Sequence, residues 1–138
     1  MTLNRIQKLA LGLSGATSLG IGAAILAAPH AFYASYGIVL GPDPSLLSEL
    51  RAPGAGLVAS GAIMLAGIVR QALAQVAVAF ALAVFLAFPA GRLVSLAVDG
   101  LPSSGILAAL ALELAIAVFC LFAFRAGPRP ARTRVALR

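Results

Sequence analysis

The chain has 138 residues, of which 62% are hydrophobic and 10% are charged, and its net charge is +6. Soluble domains carry roughly 25% charged residues, so a water-soluble fold of this composition would expose apolar patches that aggregate. The composition therefore excludes an ordinary soluble domain and predicts an integral membrane protein.

The basic residues collect near the chain ends, which favours anionic lipid headgroups as their partners and argues against nucleic acid. The single cysteine, Cys120, excludes an internal disulfide and a dithiol redox pair. No nucleophile–base pair, metal-ligand cluster or phosphate-binding loop is recognisable in the sequence. We therefore expect no catalytic residue, no metal and no other cofactor, and we do not expect an enzyme.

The first predicted helix covers residues 7–29 and contains the charge-free run LALGLSGATSLGIGAAILAAP. About 20 apolar residues cross a bilayer, whereas a signal peptide has an apolar core of about 7–15 residues, so we predict a retained membrane span. Small residues recur along it at four-residue spacing, which favours close helix packing in lipid. They form one row of Gly12, Ala16, Gly20 and Ala24 and a neighbouring row of Ser14, Ser18 and Gly22.

An aromatic, Gly- and Pro-rich loop follows, in which Phe32, Tyr33 and Tyr36 fit an interfacial belt. His30 is interpreted as an interfacial polar residue, with binding of a ligand or proton as the alternative.

The second predicted helix covers residues 44–69. Asp43 is its expected N-cap, and a kink is expected at an internal proline, Pro53. Gly56 and Ser60 are its candidate small packing residues.

Two further membrane helices are predicted at residues 73–98 and 104–125, each an almost continuous apolar run. The remaining residues, 126–138, are short, basic and interrupted by proline, and we expect a disordered cytoplasmic tail that contacts anionic headgroups. The sequence therefore predicts an all-α fold, a bundle of four transmembrane helices forming one domain over residues 1–125.

Basic residues mark one side of the predicted bundle almost completely, which by the positive-inside rule places both termini in the cytoplasm of a bacterium, with the protein in its inner membrane. The loops on the other side carry Asp43, Glu49 and Asp99. The basic residues of the cytoplasmic side are Arg5, Lys8, Arg70, Arg125, Arg129, Arg132, Arg134 and Arg138.

The other charged residues are expected to meet in the outer half of the bundle. Counting 1.5 Å per residue places Glu113 near mid-membrane, where a lone carboxylate is costly, so we expect it to pair with Arg92 or Arg51. With Glu49, these residues form a predicted polar cluster that is nearly neutral and lies near His30. The cluster either fixes helix register or binds a small ligand or a partner.

Two neighbours of Arg92 share its helix face, because they follow it by three and seven residues. Ser95 is expected to hydrogen-bond its own helix backbone, and Asp99 is expected to stay at the outer rim. Both are candidates for the same polar network. Whether a second copy of the chain or another membrane protein also packs on the bundle is left open by the sequence.

Two sequence blocks, LLSELRAPGAGLVASGAIMLAGI and GRLVSLAVDGLPSSGILAALALELAIAVF, resemble domain-of-unknown-function family 4345, a set of small bacterial membrane proteins with four helices. The similarity covers roughly residues 9–124 and implies a fold and a location but no reaction. A more distant similarity links the chain to DoxX-like four-helix membrane proteins. The family pattern selects Glu49, Arg51, Gly54, Arg92, Asp99, Gly100, Pro102 and Glu113.

Three functional hypotheses follow. In the first, the protein is non-enzymatic and its polar cluster is structural or binds a small ligand or partner. In the second, it is a small transporter coupled to protons or cations through Glu113. In the third, it is a DoxX-like, quinone-linked redox subunit, although a single histidine cannot supply bis-histidine haem ligation within one chain.

Overall fold

A computed structural model describes residues 2–125 of the chain, and the predicted tail, residues 126–138, lies outside them. Four of its helices are long and apolar enough to cross a bilayer, which confirms the predicted all-α class and membrane-type bundle. The helices are α1 (Arg5–Ala27), α2 (Pro29–Ala34), α3 (Pro44–Val69), α4 (Ala74–Val98) and α5 (Ser104–Phe124), with a 3-10 turn at Gln71–Leu73.

The break between α1 and α2 differs from the single helix predicted over residues 7–29. Ala28 has φ −142° and ψ 64°, outside the helical region, because the ring of Pro29 disfavours helical geometry in the residue before it. Pro29 then begins α2, where its missing N–H costs no hydrogen bond. The chain leaves α2 through Gly37, whose φ of 78° suits glycine.

Helix ends elsewhere follow side-chain signals in the sequence. Asp43 caps α3 by accepting from the Ser45 N–H at 2.9 Å, and Ser103 is the N-cap of α5. Each of these two side chains gives a backbone N–H of the first helical turn a hydrogen-bond acceptor. Helix α3 runs unbroken through Pro53, and α4 runs unbroken through Pro89.

The most extensive contact in the bundle joins α1 to α3, and glycines allow the two backbones to approach closely there. A Cβ added at Gly22 would lie 2.5 Å from the Gly54 carbonyl oxygen, and one at Gly61 would lie 2.6 Å from the Leu19 nitrogen. Such contacts provide the van der Waals packing that holds helices together in lipid. The predicted row containing Gly20 lies away from this contact, since a Cβ there meets no atom within 4 Å.

The apolar core fills the half of the bundle nearer the chain termini. There Leu11, Met64, Ile116 and Cys120 are fully or almost fully buried. The Cys120 sulfur lies 3.1 Å from the Ser14 hydroxyl, which gives that buried polar group a partner. The opposite half, where α2 and the α4–α5 turn lie, contains the candidate site.

Candidate functional site

An ion pair between α4 and α5 forms the centre of the site. Arg92 donates from Nε to Glu113 Oε2 at 2.9 Å and from Nη2 to Oε1 at 3.1 Å. The Glu113 side chain is 9% exposed and that of Arg92 28% exposed, so the carboxylate is the deeper partner. A two-bond arginine–carboxylate pair is strong and directional, and it keeps the two charges from being unpaired within the bundle. Of the two partners predicted for Glu113, Arg92 and Arg51, the structure shows Arg92.

The α4–α5 turn brings the two charged residues to the same level. Asp99 ends α4, and Gly100 follows it with φ 95°, a left-handed conformation that favours glycine after a helix. Because α5 begins directly after this short turn, the two helices run antiparallel, and residues on either side of it face each other across the hairpin. The register therefore follows from the turn.

A cavity of about 160 Å³ lies beside the ion pair and is lined by all five helices. An apolar cavity of about 150 Å³ is known to hold a benzene ring, so this one has room for a molecule of that size. Polar groups line one part of it, and apolar side chains line the rest. The polar and aromatic lining residues are Ser18, Phe32, Tyr33, Tyr36, Phe85, Phe88, Arg92 and Glu113, and the aliphatic ones and proline are Ile21, Ile25, Pro53, Leu57, Val84 and Ile106.

Helix α2 covers the cavity with aromatic rings. Phe32 packs edge-to-face with Tyr33, at 5.3 Å between ring centroids, and with Tyr36, at 5.2 Å. The Ser103 hydroxyl donates to the Tyr36 carbonyl at 2.7 Å and ties this segment to the start of α5. These rings were predicted as an interfacial belt, whereas the structure turns them towards the cavity as well.

The electrostatics of the cavity are set by Arg92 and the partly buried Tyr33. Burial raises the pKa of the Tyr33 phenol above its ordinary value of 10.0, and Tyr36 raises the same pKa further. The charge of Arg92 acts in the opposite direction by favouring the phenolate. At neutral pH the Tyr33 hydroxyl is therefore protonated and is a donor close to the Arg92 guanidinium.

Arg51 and Glu49 do not join the pair, so the predicted four-residue cluster is wrong in this respect. Arg51 donates from Nε to the Leu26 carbonyl at 3.2 Å. Leu26 lies in the last turn of α1, where carbonyls lack helical partners and attract cations. Glu49 is exposed and makes no side-chain hydrogen bond or ion pair among residues 2–125.

The remaining candidates lie at the edge of the site. Ser95 donates from Oγ to Asp99 Oδ2 at 2.8 Å rather than to its own helix backbone, which corrects the expectation for Ser95. Asp99 is exposed on the rim, and His30 is exposed at the start of α2. Neither residue lines the cavity.

The described residues contain no group of three His, Cys, Asp or Glu side chains that could hold a metal ion. What the site does offer is hydrogen-bond donors. Glu113 occupies one N–H of Nε and one of Nη2 on Arg92, and a guanidinium carries five N–H groups in all. The free donors, together with the Tyr33 hydroxyl, suit a ligand that carries an acceptor oxygen.

Fold and site together define a four-span membrane protein with an ion-paired cavity in one half of its bundle. The chain matches the family described as Domain of unknown function (DUF4345) over residues 6–124 and belongs to that family. Neither a curated protein nor a solved structure matches the chain significantly. The earlier resemblance to this family is thereby confirmed.

The contribution of α2 to the cavity is what sequence reasoning missed. A usable signal was present: Pro29 predicts a new helix start, and Phe32 and Tyr36 are four residues apart and therefore share a helix face. When these residues are interpreted as a loop, the sequence does not predict which way their rings point.

Proposed function

We propose that this protein is a non-enzymatic binding protein of the bacterial inner membrane, with both termini in the cytoplasm. Its cavity takes a small neutral molecule that carries a hydrogen-bond acceptor. The observation that carries this proposal is the juxtaposition of a cavity of about 160 Å³ with the Arg92–Glu113 pair in its wall.

Charge favours a neutral ligand. Arg92 and Glu113 neutralise each other, so an anion bound beside them would leave one uncompensated negative charge in a low-dielectric site. A cation would face the guanidinium. A carbonyl, amide or ether oxygen accepts from the free Arg92 donors without disturbing this balance.

The same geometry weakens the case for a carrier that exchanges protons or cations at Glu113. Both carboxylate oxygens accept hydrogen bonds from Arg92, so the charge of the carboxylate is already compensated. Exchange at Glu113 would first have to break the pair, which is costly in a partly buried site. Binding requires no such step.

The chain contains two tyrosines and no tryptophan, and both tyrosines line the cavity, so intrinsic fluorescence reports on this site. Two brominated quenchers test the proposal with the purified protein in lipid vesicles: N-methyl-para-bromobenzamide, which carries an acceptor oxygen, and para-bromoethylbenzene, which does not. When each probe is titrated and its mole fraction in the lipid is measured, we expect the amide to reach half-maximal quenching at about tenfold lower mole fraction, the effect of a charge-assisted hydrogen bond.

Three variants complete the test. The double variant R92M/E113M, which leaves no side-chain donor at either position, should lose the preference for the amide, and V84F, which fills the cavity, should reduce quenching by both probes. V76F is the matched control, because Val76 is 46% exposed on the same helix and does not line the cavity. Equal quenching of wild type and V84F would contradict the proposal.

A further inference from the structure

A groove on the lipid-facing side of the bundle meets the cavity at Arg92. It runs between the outer ends of α4 and α5 and shares Phe88, Arg92 and Ile106 with the cavity wall. The groove is completed mainly by small or apolar residues, among them Ala87 and Gly91. A molecule whose polar end lies beside Arg92 can therefore extend into this groove without leaving the surface of the protein.

The groove exists because α4 leaves the core beyond Pro89. The buried residues of α4 recur every three or four positions up to Phe85 and Pro89, and none follows before the helix ends at Val98. On α5 the first buried residue is Leu110, two turns into the helix. The outer ends of these two helices are thus held together by the Arg92–Glu113 pair rather than by a packed apolar seam.

A second groove, between α1 and α5, also reaches the cavity wall, at Tyr36 and Glu113. It is obstructed at its outer end. A Cβ added at Gly105 would lie 3.1 Å from the Tyr36 ring and 3.3 Å from the Ser35 carbonyl oxygen, and Ser103 hydrogen-bonds the Tyr36 carbonyl. Among residues 2–125, no such contact covers the α4–α5 groove.

We infer that the ligand of the proposed function is a single-chain lipid-like molecule whose small neutral head lies in the cavity and whose chain leaves it through the α4–α5 groove. This inference rests on the proposed function and adds the class of ligand and its route. A cavity of about 160 Å³ has no room for a long chain as well as a ring-sized head, so the chain of such a ligand would lie outside it, and the α4–α5 groove is adjacent because it shares Phe88, Arg92 and Ile106 with the cavity wall. Arg92, which belongs to both surfaces, is the point where head and chain join.

The test compares N-methyl-para-bromobenzamide with N-dodecyl-para-bromobenzamide, which have the same head and differ in the chain. Both are titrated against the tyrosine fluorescence of the full chain in lipid vesicles, at matched mole fraction in the lipid. We expect wild-type protein to bind both probes. The variant G91L should bind the dodecyl probe about tenfold more weakly while binding the methyl probe as wild type does.

Gly91 is suited to this test because it lines the groove and a Cβ there meets no atom within 4 Å, so a larger side chain occupies the groove without disturbing the helices. G20L is the matched control, since Gly20 is equally open and lies on α1, away from both surfaces. A109L fills the α1–α5 groove. Unchanged binding of the methyl probe shows in each case that the variant has folded.

The outcomes separate the two proposals. If the methyl probe fails to quench wild-type protein, the proposed function fails. If the methyl probe binds and the dodecyl probe does not, or if G91L binds both probes as wild type does, the function stands and the groove inference is overturned. Loss of dodecyl binding in A109L but not in G91L overturns it as well, since the chain then leaves between α1 and α5.

Discussion

Arg92 and Glu113 are separated by 21 positions in the chain, yet they face each other through two hydrogen bonds of 2.9 and 3.1 Å. Each is the other's charge partner in a bundle surrounded by apolar side chains. The energetic importance of the pair therefore lies in the cost of removing one member, which leaves an unpaired charge in the membrane.

Breaking this pair on one side should destabilise the protein. We expect R92Q and E113Q each to lower the free energy of unfolding by about 2 kcal/mol, below the range for fully buried pairs because Arg92 is partly exposed. R92Q/E113Q should lose less than the sum of the single effects by about 1 kcal/mol or more. Unfolding of detergent-solubilised protein measures all three values. D99N is the control, since Asp99 is exposed, and strictly additive losses would mean that the two residues are not coupled.

Adding a methyl group at the α1–α3 crossing should force these helices apart. We expect G22A and G61A to lose about 1–3 kcal/mol of stability, because the new Cβ would meet backbone atoms that cannot move aside locally. G20A and G56A are matched controls, with no atom within 4 Å of the added Cβ, and alanine's better helix propensity should leave them neutral or slightly more stable. Thermal unfolding of the four variants tests this. Similar losses at all four positions would point to a general intolerance of alanine.

The Tyr33 phenol should ionise at higher pH than a free tyrosine, because burial raises its pKa in the folded state above 10.0. The folded protein then binds more protons than the unfolded chain in this range, so stability falls as pH rises from about 10 through the raised pKa. Phenolate absorbance of the Y36F variant, in which Tyr33 is the remaining tyrosine, measures the part of the pKa shift that burial and Arg92 cause, since Tyr36 is then absent. In Y33F, the part of the alkaline loss of stability that comes from Tyr33 should disappear. A measured Tyr33 pKa at or below 10.0 would contradict the assignment.

With four helices long and apolar enough to cross a membrane, the positive-inside rule predicts that both ends of residues 2–125 lie on the cytoplasmic side. In a C120A background, cysteines introduced at Val39 and Leu101, which are 94% and 82% exposed, should react with an impermeant maleimide in intact spheroplasts. Cysteines introduced at Thr2 and Gln71 should react only after permeabilisation. The opposite pattern would invert the topology.

Helix number and the Arg92–Glu113 register were predictable for the same reason. Four apolar runs separated by polar turns define four spans, and a short turn between consecutive spans fixes which residues face each other. The arithmetic from the turn near Pro102 to Arg92 and Glu113 depends on nothing else in the molecule. Both predictions hold for a protein in lipid because they depend only on the lengths of the helices and on the connections between them.

Which face of each helix points inward was not predictable, and the errors at Arg51 and at Gly20 share this cause, whereas the predicted row of Ser14, Ser18 and Gly22 is buried. A helix that is apolar on every side gives no contrast between core and lipid, so periodicity does not show its rotation. The rotation of α1 exposes Gly20 and buries Gly22, and the rotation of α3 takes Arg51 to the end of α1. Contacts between the packed helices decide these angles, and the lengths of the connecting segments do not.

The α1–α3 glycine contact and the α4–α5 ion pair each join two consecutive spans, so each of the two hairpins of the bundle contains an internal interaction. During synthesis, the arginine of the second hairpin meets its counter-ion within the same pair of spans, so neither charge needs a distant helix for neutralisation. A nascent chain halted before Glu113 should accordingly insert its third span less efficiently than one extended to Phe124, in a translocon assay with microsomes or inverted vesicles. We therefore expect the protein to insert one hairpin at a time, with Arg92 and Glu113 paired before the two hairpins pack together.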